Sequence, residues 1–416
     1  MKFTLVIPIS AVSLLGINCA DAGRAGTAGR TGQKPQVARY SVTDLGTLGG
    51  TASIAFGINN AGRVGGGANM RGENQHPFLW DKGQMIDLGT LGGLNANAGG
   101  TNENDELAVL SETATKDPLG EDFCGFGTNL ICLGAIWKHG ALTPLPTLGG
   151  NNGQAVTINN RGQLVGFGEN STRDTSCMVP QVLGFEAVVW GSDGHVQELS
   201  PLPGDSVGFA LGINDSGQVV GSSGSCANTR LVPLRIGPHA VLWENGSATD
   251  LGSLGGKRFN TAAAINNRGE VVGASTLPDE ATLHSFLWTK ATGMRDLGTV
   301  GADFSSLPTA ISNKGQVVGA SCVTADFING PCRAYLWQDN AMTDLNDLIP
   351  VDSPLELLFA YGINDAGQIV GQAMHKDTSD LRAFLATPIK SNVGSESVPD
   401  IAPDGSKEPA RTLPTP

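Results

Sequence analysis

The chain has 416 residues, of which 58 are Gly, 16% are charged and 6% are aromatic, and its formal net charge is −13. Each Gly inside a helix costs about 1 kcal/mol, so this composition favours short strands and tight turns. The negative charge and the lack of a Lys/Arg-rich run argue against nucleic acid or an anionic membrane surface as a partner.

The first 22 residues have the pattern of a secretory signal peptide. Lys2 precedes a mostly apolar stretch, residues 3–17, and an Ala-x-Ala site predicts cleavage after Ala22. A retained anchor is one alternative, although a membrane span needs about 20 residues. A lipoprotein linked through Cys19 is another, but Asn18 stands where that motif requires a small residue. We predict an exported chain, secreted or periplasmic, with no transmembrane segment once mature.

Seven tandem copies of a repeat occupy residues 40–388. Each copy contains an Asp-Leu-Gly-Thr-Leu-Gly-Gly segment, an Ile-Asn-Asn-x-Gly-x-Val-Val-Gly segment, a variable loop and a His-Ala-x-Leu-Trp segment, with substitutions. The preceding residues 23–39 are rich in Gly, Ala, Arg and Thr and predict a flexible leader. The following residues 389–416 combine Pro with polar residues and predict a disordered tail.

Each copy predicts four short antiparallel strands, which is the blade of a β-propeller. In residues 209–252, the turn at residues 214–217 follows the first strand, and the second, residues 218–222, contains branched Val219 and Val220. The seventh copy stops after its third strand, whereas a spare strand, residues 40–46, precedes the first copy. Placing the spare strand as the fourth strand of the last blade pairs two open edges. We therefore predict a closed seven-bladed ring rather than a linear solenoid.

The chain resembles the HAF-repeat family of probable extracellular repeats. The His-Ala-Phe signature begins here at His76, His239 and His284, in register with the Leu-Gly-Thr-Leu-Gly-Gly segments over about residues 40–388. The other four copies have Gly134, Glu186, Arg333 and Arg382 in place of this His, so the position is not a universal ligand. The resemblance implies an exported propeller-like protein and no established activity.

Six cysteines remain after signal cleavage, and an even number in an exported chain predicts disulfides. All six fall between the second and third strands of their copies, so they should share one face of the ring. We predict Cys124–Cys132 and Cys322–Cys332 within single blades and Cys177–Cys226 between consecutive blades. Zinc is the alternative, but its usual C-x₂₋₄-C spacing is missing.

The repeated polar and aromatic residues have structural explanations. A Trp that follows two apolar residues in a strand indicates packing between blades rather than stacking on a sugar. The three His at the start of the third strand should lie too far from the axis to share an ion, so we expect hydrogen bonds there. We expect turn capping from the Asp of each Asp-Leu pair. The Trp residues are Trp80, Trp137, Trp190, Trp243, Trp288 and Trp337.

No catalytic motif is recognisable, so the sequence predicts no catalytic residue, cofactor or metal. Loop carboxylates, for example Glu121, Asp122, Asp279 and Glu280, could pair only in space. Our first hypothesis is a monomeric binding or scaffold module that recognises a protein or an extracellular glycan. Its surface would be the long loops between second and third strands, at residues 112–133, 168–185, 222–238 and 321–332. The alternative is an extracellular propeller enzyme that acts on carbohydrate as a hydrolase or lyase.

Overall fold

The computed structural model describes residues 39–229, 237–325 and 330–389. These residues form 28 strands and one short 3₁₀ turn, Leu345–Leu348. The strands make seven separate four-stranded antiparallel sheets, which are the blades of a seven-bladed β-propeller. The all-β fold predicted from the repeat is confirmed. The predicted signal peptide and most of the predicted leader and tail lie outside the described residues.

The first three blades follow the chain in order, each beginning with a strand of 10 residues. Blade 1 contains β2 (Gly49–Ile58), β3 (Val64–Met70), β4 (Gln75–Asp81) and β5 (Gln84–Asp87). Blade 2 contains β6 (Gly92–Thr101), β7 (Leu107–Lys116), β8 (Leu130–Lys138) and β9 (Ala141–Pro144). Blade 3 contains β10 (Gly149–Ile158), β11 (Leu164–Arg173), β12 (Leu183–Trp190) and β13 (Val196–Leu199).

The next three blades have shorter first strands. Blade 4 contains β14 (Val207–Ile213), β15 (Val219–Gly224), β16 (His239–Glu244) and β17 (Ser247–Asp250). Blade 5 contains β18 (Asn260–Ile265), β19 (Val271–Thr276), β20 (Leu283–Thr289) and β21 (Gly293–Gly298). Blade 6 contains β22 (Ser305–Ile311), β23 (Val317–Cys322), β24 (Cys332–Gln338) and β25 (Ala341–Asp344).

Blade 7 joins the two ends of the repeat region. Its first three strands are β26 (Leu355–Ile363), β27 (Ile369–His375) and β28 (Leu381–Pro388), and its fourth is β1 (Tyr40–Asp44). β1 runs antiparallel to β28, with Tyr40 opposite Pro388 and Asp44 opposite Phe384. The offset predicted from the sequence is therefore confirmed: the strand that precedes the first copy completes the last blade and leaves no blade short of a strand.

The Gly that ends each Val-Val-Gly segment permits an irregularity in the first strand. In blade 4 the pairing register of β14 and β15 shifts between Ala210 and Gly212, which is a β-bulge. The bulge brings the carbonyl oxygen of Phe209 to 2.0 Å from where a Cβ on Gly221 would lie. Five other blades carry Gly at this position in their second strands, so the motif marks a steric requirement rather than a turn.

Packing between adjacent blades explains the repeated Trp. Trp243 of blade 4 is 3% exposed and lies in one cluster with Val165, Ala187 and Leu199 of blade 3. Its indole N–H donates to the carbonyl oxygen of Ser200, in the segment that links the two blades, at 2.8 Å. Trp190 makes the equivalent bond to Pro146. These contacts support the prediction that the Trp residues pack between blades.

The strand order gives the ring two distinct faces. Turns between first and second strands and between third and fourth strands lie on one face, which we call the turn face. Connections between second and third strands, and from each fourth strand to the next blade, lie on the other, which we call the loop face. The first strands surround the central channel, because residues from all seven of them line it.

Candidate binding faces

Two rings of hydrogen bonds join the blades on the turn face. The first Asn of each turn caps its own hairpin: the side-chain oxygen of Asn214 accepts from the backbone N–H groups of Ser216 and Gln218. Its amide group also donates to the carbonyl oxygen of Asn266 in the next blade at 3.0 Å. Six turns make this cross-blade bond, and at the seventh position Ser312 only accepts from Gln316.

The second residue of each turn forms a closed outer ring. Its backbone N–H donates to the side-chain oxygen of the residue at the equivalent position in the next blade, at 2.9–3.0 Å in all seven cases. The ring returns to its start when Asp365 donates to Asn60. The seven residues share only a side-chain oxygen: Asn60, Glu103, Asn160, Asp215, Asn267, Asn313 and Asp365.

These residues line a polar depression of about 220 Å³ on the axis of the turn face. Its three carboxylates, Glu103, Asp215 and Asp365, all accept hydrogen bonds from neighbouring blades. Burial opposes ionisation of Asp215, but bonds from the backbone and side chain of Asn160 and from the side chain of Asn267 lower its pKa. Asp215 therefore joins its two neighbouring blades in its charged form.

Loss of one cross-blade bond from the first Asn of a turn has a measurable cost. Asn364, which is 4% exposed, donates to the carbonyl oxygen of Asn59 and so ties blade 7 to blade 1. We expect Asn364→Ala to lower the free energy of unfolding by about 2–4 kcal/mol, because it removes a cap and leaves buried polar groups unpaired. Asn364→Ser, the arrangement found naturally at Ser312, should cost less than Asn364→Ala in denaturant unfolding. Equal losses in the two variants would contradict this expectation, because the cap that Ser retains would then contribute no stability.

The signature His residues make structural hydrogen bonds. His76 and His284 each contact the Asp of their own fourth strand, Asp87 and Asp296, at 2.9 Å. His239 instead contacts Asp205, which lies before the first strand of its blade, at 2.8 Å. In blade 6, Arg333 makes the equivalent ion pair with Asp303. The three His therefore lie near the start of third strands in three different blades, and each bonds a separate Asp.

The Asp of each Asp-Leu pair caps the following turn, as predicted. The side-chain oxygen accepts from the backbone N–H two residues later in all five copies: Asp44, Asp87, Asp250, Asp296 and Asp344. Blade 3 differs because Glu186 and Glu198 replace the His and the Asp. Burial, with the charge of Glu198 beside it, raises the pKa of Glu186 to about 8.

Three disulfides fix the loop face. The predicted pairs Cys124–Cys132, Cys177–Cys226 and Cys322–Cys332 are all present. The second joins the long loops of blades 3 and 4, as the sequence predicted. Asp174 lies with Cys177 and Cys226 as the only described group of three ligating side chains within 4.8 Å, but the disulfide removes both thiolates. Three disulfides are typical of exported proteins.

An aromatic cluster supports the loops of blades 2–4. Phe123, in the loop of blade 2, packs on Phe167 of blade 3 with ring centroids 5.4 Å apart. Phe167 also contacts Phe185 and Phe209. The cluster includes four of the disulfide cysteines and is largely buried, so these loops belong to the packed body of the ring.

The four loop carboxylates named in the sequence analysis each have separate hydrogen-bond partners. Asp279 caps its own loop at Ala281 and Thr282, and Glu280 accepts from the backbone of Lys257 and Arg258. Asp122 accepts from the backbone of Gly127. Glu121 is fully buried and faces Glu169, a strand residue that the sequence analysis missed.

Glu169 had one recognisable signal in the sequence. It follows a mostly apolar run in the second strand, and Glu112 occupies the same position in the preceding copy. Each of the two accepts from a backbone N–H of the adjacent first strand, Glu112 from Asn95 and Glu169 from Asn152. An acidic residue at a strand position that is buried in both copies indicates a polar network beneath the loops.

The loop face also carries most of the exposed apolar side chains. Of the eight large hydrophobic residues exposed in the described part of the chain, six lie on this face and two, Ile86 and Ile389, do not. Val179 and Val351 are 92% and 99% exposed. Phe304 lies near Val323, because the backbone N–H of Phe304 donates to the carbonyl oxygen of Cys322, the last residue of β23. The six are Leu94, Met178, Val179, Phe304, Val323 and Val351.

No family model and no curated protein matches the chain. Its structure is similar to that of a puromycin hydrolase at 14% identity and a TM-score of 0.50, covering 82% of this chain and 52% of that one. The chain thus spans about half the length of that hydrolase. A gluconolactonase from Xanthomonas campestris is similar at 9% identity and a TM-score of 0.39, covering 85% of this chain and 91% of that one. A family 25 polysaccharide lyase, an ulvan lyase, is similar at 10% identity and a TM-score of 0.30, covering 85% of this chain and 83% of that one. At these identities the likeness extends to the fold alone.

No helix among the described residues is long and apolar enough to cross a membrane.

Proposed function

We propose that the chain is an exported binding module that recognises a protein or an extracellular glycan through its loop face. The proposal rests on the uneven distribution of exposed apolar side chains, because six of the eight large ones among the described residues lie on that face. The loops differ between blades, whereas the turn face repeats the same two rings in nearly every blade. Variable loops on a regular scaffold are a common basis for recognition. The HAF-repeat resemblance and the predicted signal peptide support an extracellular setting.

A glycan array and a pull-down with the exported protein test both classes of partner. We expect a saturable ligand in one of them, with affinity that falls at least tenfold when Val179 and Val323 are both replaced by Glu, a loss of about 1.4 kcal/mol. Ile86→Glu is the matched control, since Ile86 is 46% exposed and Val323 45%. Binding that survives the double substitution but is lost in Ile86→Glu would refute a role for the loop face.

A carbohydrate-processing enzyme would need a carboxyl group able to donate a proton near a cleft. The axial depression supplies three carboxylates, but all three already accept hydrogen bonds from neighbouring blades, and these bonds lower the pKa of Asp215. The Glu121 and Glu169 pair is fully buried. We therefore expect no release of reducing ends or unsaturated sugars from polysaccharides. Release that disappears in Asp215→Asn would establish the enzyme instead.

A further inference from the structure

A buried group of acids lies where the loop of blade 2 meets blade 3. Glu121 and Glu169 are both 0% exposed. One oxygen of Glu121 accepts from the backbone N–H groups of Val182 and Leu183, at 2.6 and 3.0 Å, so the blade 2 loop binds the blade 3 loop directly. Asp117, 7% exposed, accepts from the side chain of Asn152 at 2.9 Å, so it adds a second link between the blades.

Glu169 accepts hydrogen bonds from residues of its own blade. Its Oε2 accepts from the backbone and side chain of Asn152, at 2.9 and 3.1 Å, and its Oε1 accepts from the side-chain amide of Gln181 at 2.8 Å. The second oxygen of Glu121, by contrast, is buried without a protein N–H donor. A proton placed between that oxygen and Glu169 would satisfy it.

We propose that Glu121 and Glu169 form an acid latch, in which one proton held between their carboxyl groups fastens the loop of blade 2 to blade 3. Loss of the proton leaves two buried carboxylates facing each other, which pushes the two loops apart. The latch is a property of the fold, whereas its effect on recognition rests on the proposed function of the loop face. It makes that face responsive to pH.

The electrostatic surroundings favour the shared proton. Burial raises the pKa of Glu169 to about 8, and the charge of Glu121 adds to the effect. Burial also raises the pKa of Glu121, and Asp117 is a further acidic group that faces it. Among the described residues, no Lys, Arg or His forms an ion pair with these three acids. The three do not converge within 4.8 Å as metal ligands would, which favours a proton over a divalent cation.

The sign of the pH dependence follows from linkage. An unfolded Glu releases its proton near pH 4.3, whereas the folded pair keeps one up to about pH 8. The stabilisation is therefore complete below the unfolded pKa and is lost as pH rises through about 8. Above that pH, each further unit should lower the protection of amides held by the latch about tenfold until the loop opens.

Hydrogen exchange of the full exported chain between about pH 7 and about pH 9.5 tests the latch without any ligand. After correction for the chemical rate, we expect the amides of Val182 and Leu183 to lose protection with rising pH. Glu169→Gln, which donates an N–H where the proton lies, should abolish this loss. Glu121→Gln is a second variant with the same expected result, should Glu169→Gln fail to fold.

Glu186→Gln is the matched control, because Glu186 lies in the same blade with a similarly raised pKa. Its variant should keep the wild-type loss of protection. Protection that is independent of pH in the wild-type chain, or a loss that survives both latch variants, would overturn the proposal. Restoration of protection by calcium at high pH would also overturn it, because a cation rather than a proton would then bridge the acids. If the latch holds but pH leaves ligand binding unchanged, only the link to recognition fails.

Discussion

Replacement of Cys177 and Cys226 by Ser is expected to lower the free energy of unfolding by about 4 kcal/mol. The disulfide joins residues 49 positions apart, so it removes much of the conformational entropy of the unfolded chain. It also ties the loops of blades 3 and 4 across the boundary between two sheets. Denaturant unfolding of the oxidised protein would measure the change.

The Cys124 and Cys132 pair provides the comparison. These residues are only 8 positions apart, and the same entropy model gives a loss of about 2.5 kcal/mol when both become Ser. Non-reducing peptide mapping should first show three disulfides and no free thiol. A larger loss from the short loop than from the long one would contradict the entropic explanation and point to packing of the Phe123 loop instead.

Removal of β1 should have the larger effect. A chain that begins at residue 47 lacks Tyr40, Val42 and Leu45, which pack into the cores beside blade 7, and exposes the edge of β28. Burial of three such side chains contributes about 5 kcal/mol or more, which is comparable to the whole net stability of many domains. We expect this truncated chain to aggregate or to unfold without a cooperative transition.

A chain that begins at residue 39 is the control, since it keeps β1 whole and should unfold as the full chain does. A peptide of residues 39–46 added to the chain that begins at residue 47 should restore part of its cooperativity, because it can occupy the open edge of β28. A truncated chain that unfolds cooperatively with unchanged stability would contradict closure by β1.

The architecture could be predicted because the same local sequence pattern recurs in seven copies. The turn Asn, the close-approach Gly and the inter-blade Trp each recur at one position, so a local pattern was enough to place the strands. The missing fourth strand of the last copy then determined how the ring closes. The prediction of uniformly short strands was wrong for the first strands of blades 1–3, which extend through a bulge to 10 residues.

The outer ring of the turn face could not be predicted in the same way. Its position is Asn in four copies, Asp in two and Glu in one, and the repeat pattern alone does not indicate that these side chains bind the next blade. Only the geometry of the ring, where each side-chain oxygen meets the next backbone N–H, shows what they share. The partner of His239 was equally hidden: Asp250 occupies the expected position, but Asp205 makes the bond.

The acid latch depends on contacts between distant parts of the chain. Glu121 lies in a loop and Glu169 in a strand of the next copy, and neither position is acidic in most copies. Their meeting depends on how the loop of blade 2 folds over blade 3, with Phe123 on Phe167. A repeat pattern describes what the copies have in common, and the features that distinguish one blade from another lie outside it.

Hydrogen exchange of the peptide that covers residues 40–46 tests the closed ring most directly. The backbone N–H of Leu45 donates to the carbonyl oxygen of Ala383, and the β1 ladder joins the two ends of the domain. A closed propeller predicts that the bonded amides of this peptide exchange as slowly as those of residues 381–388, through the same global opening. Exchange of residues 40–46 at the rate of an unfolded peptide, while residues 381–388 stay protected, would contradict it.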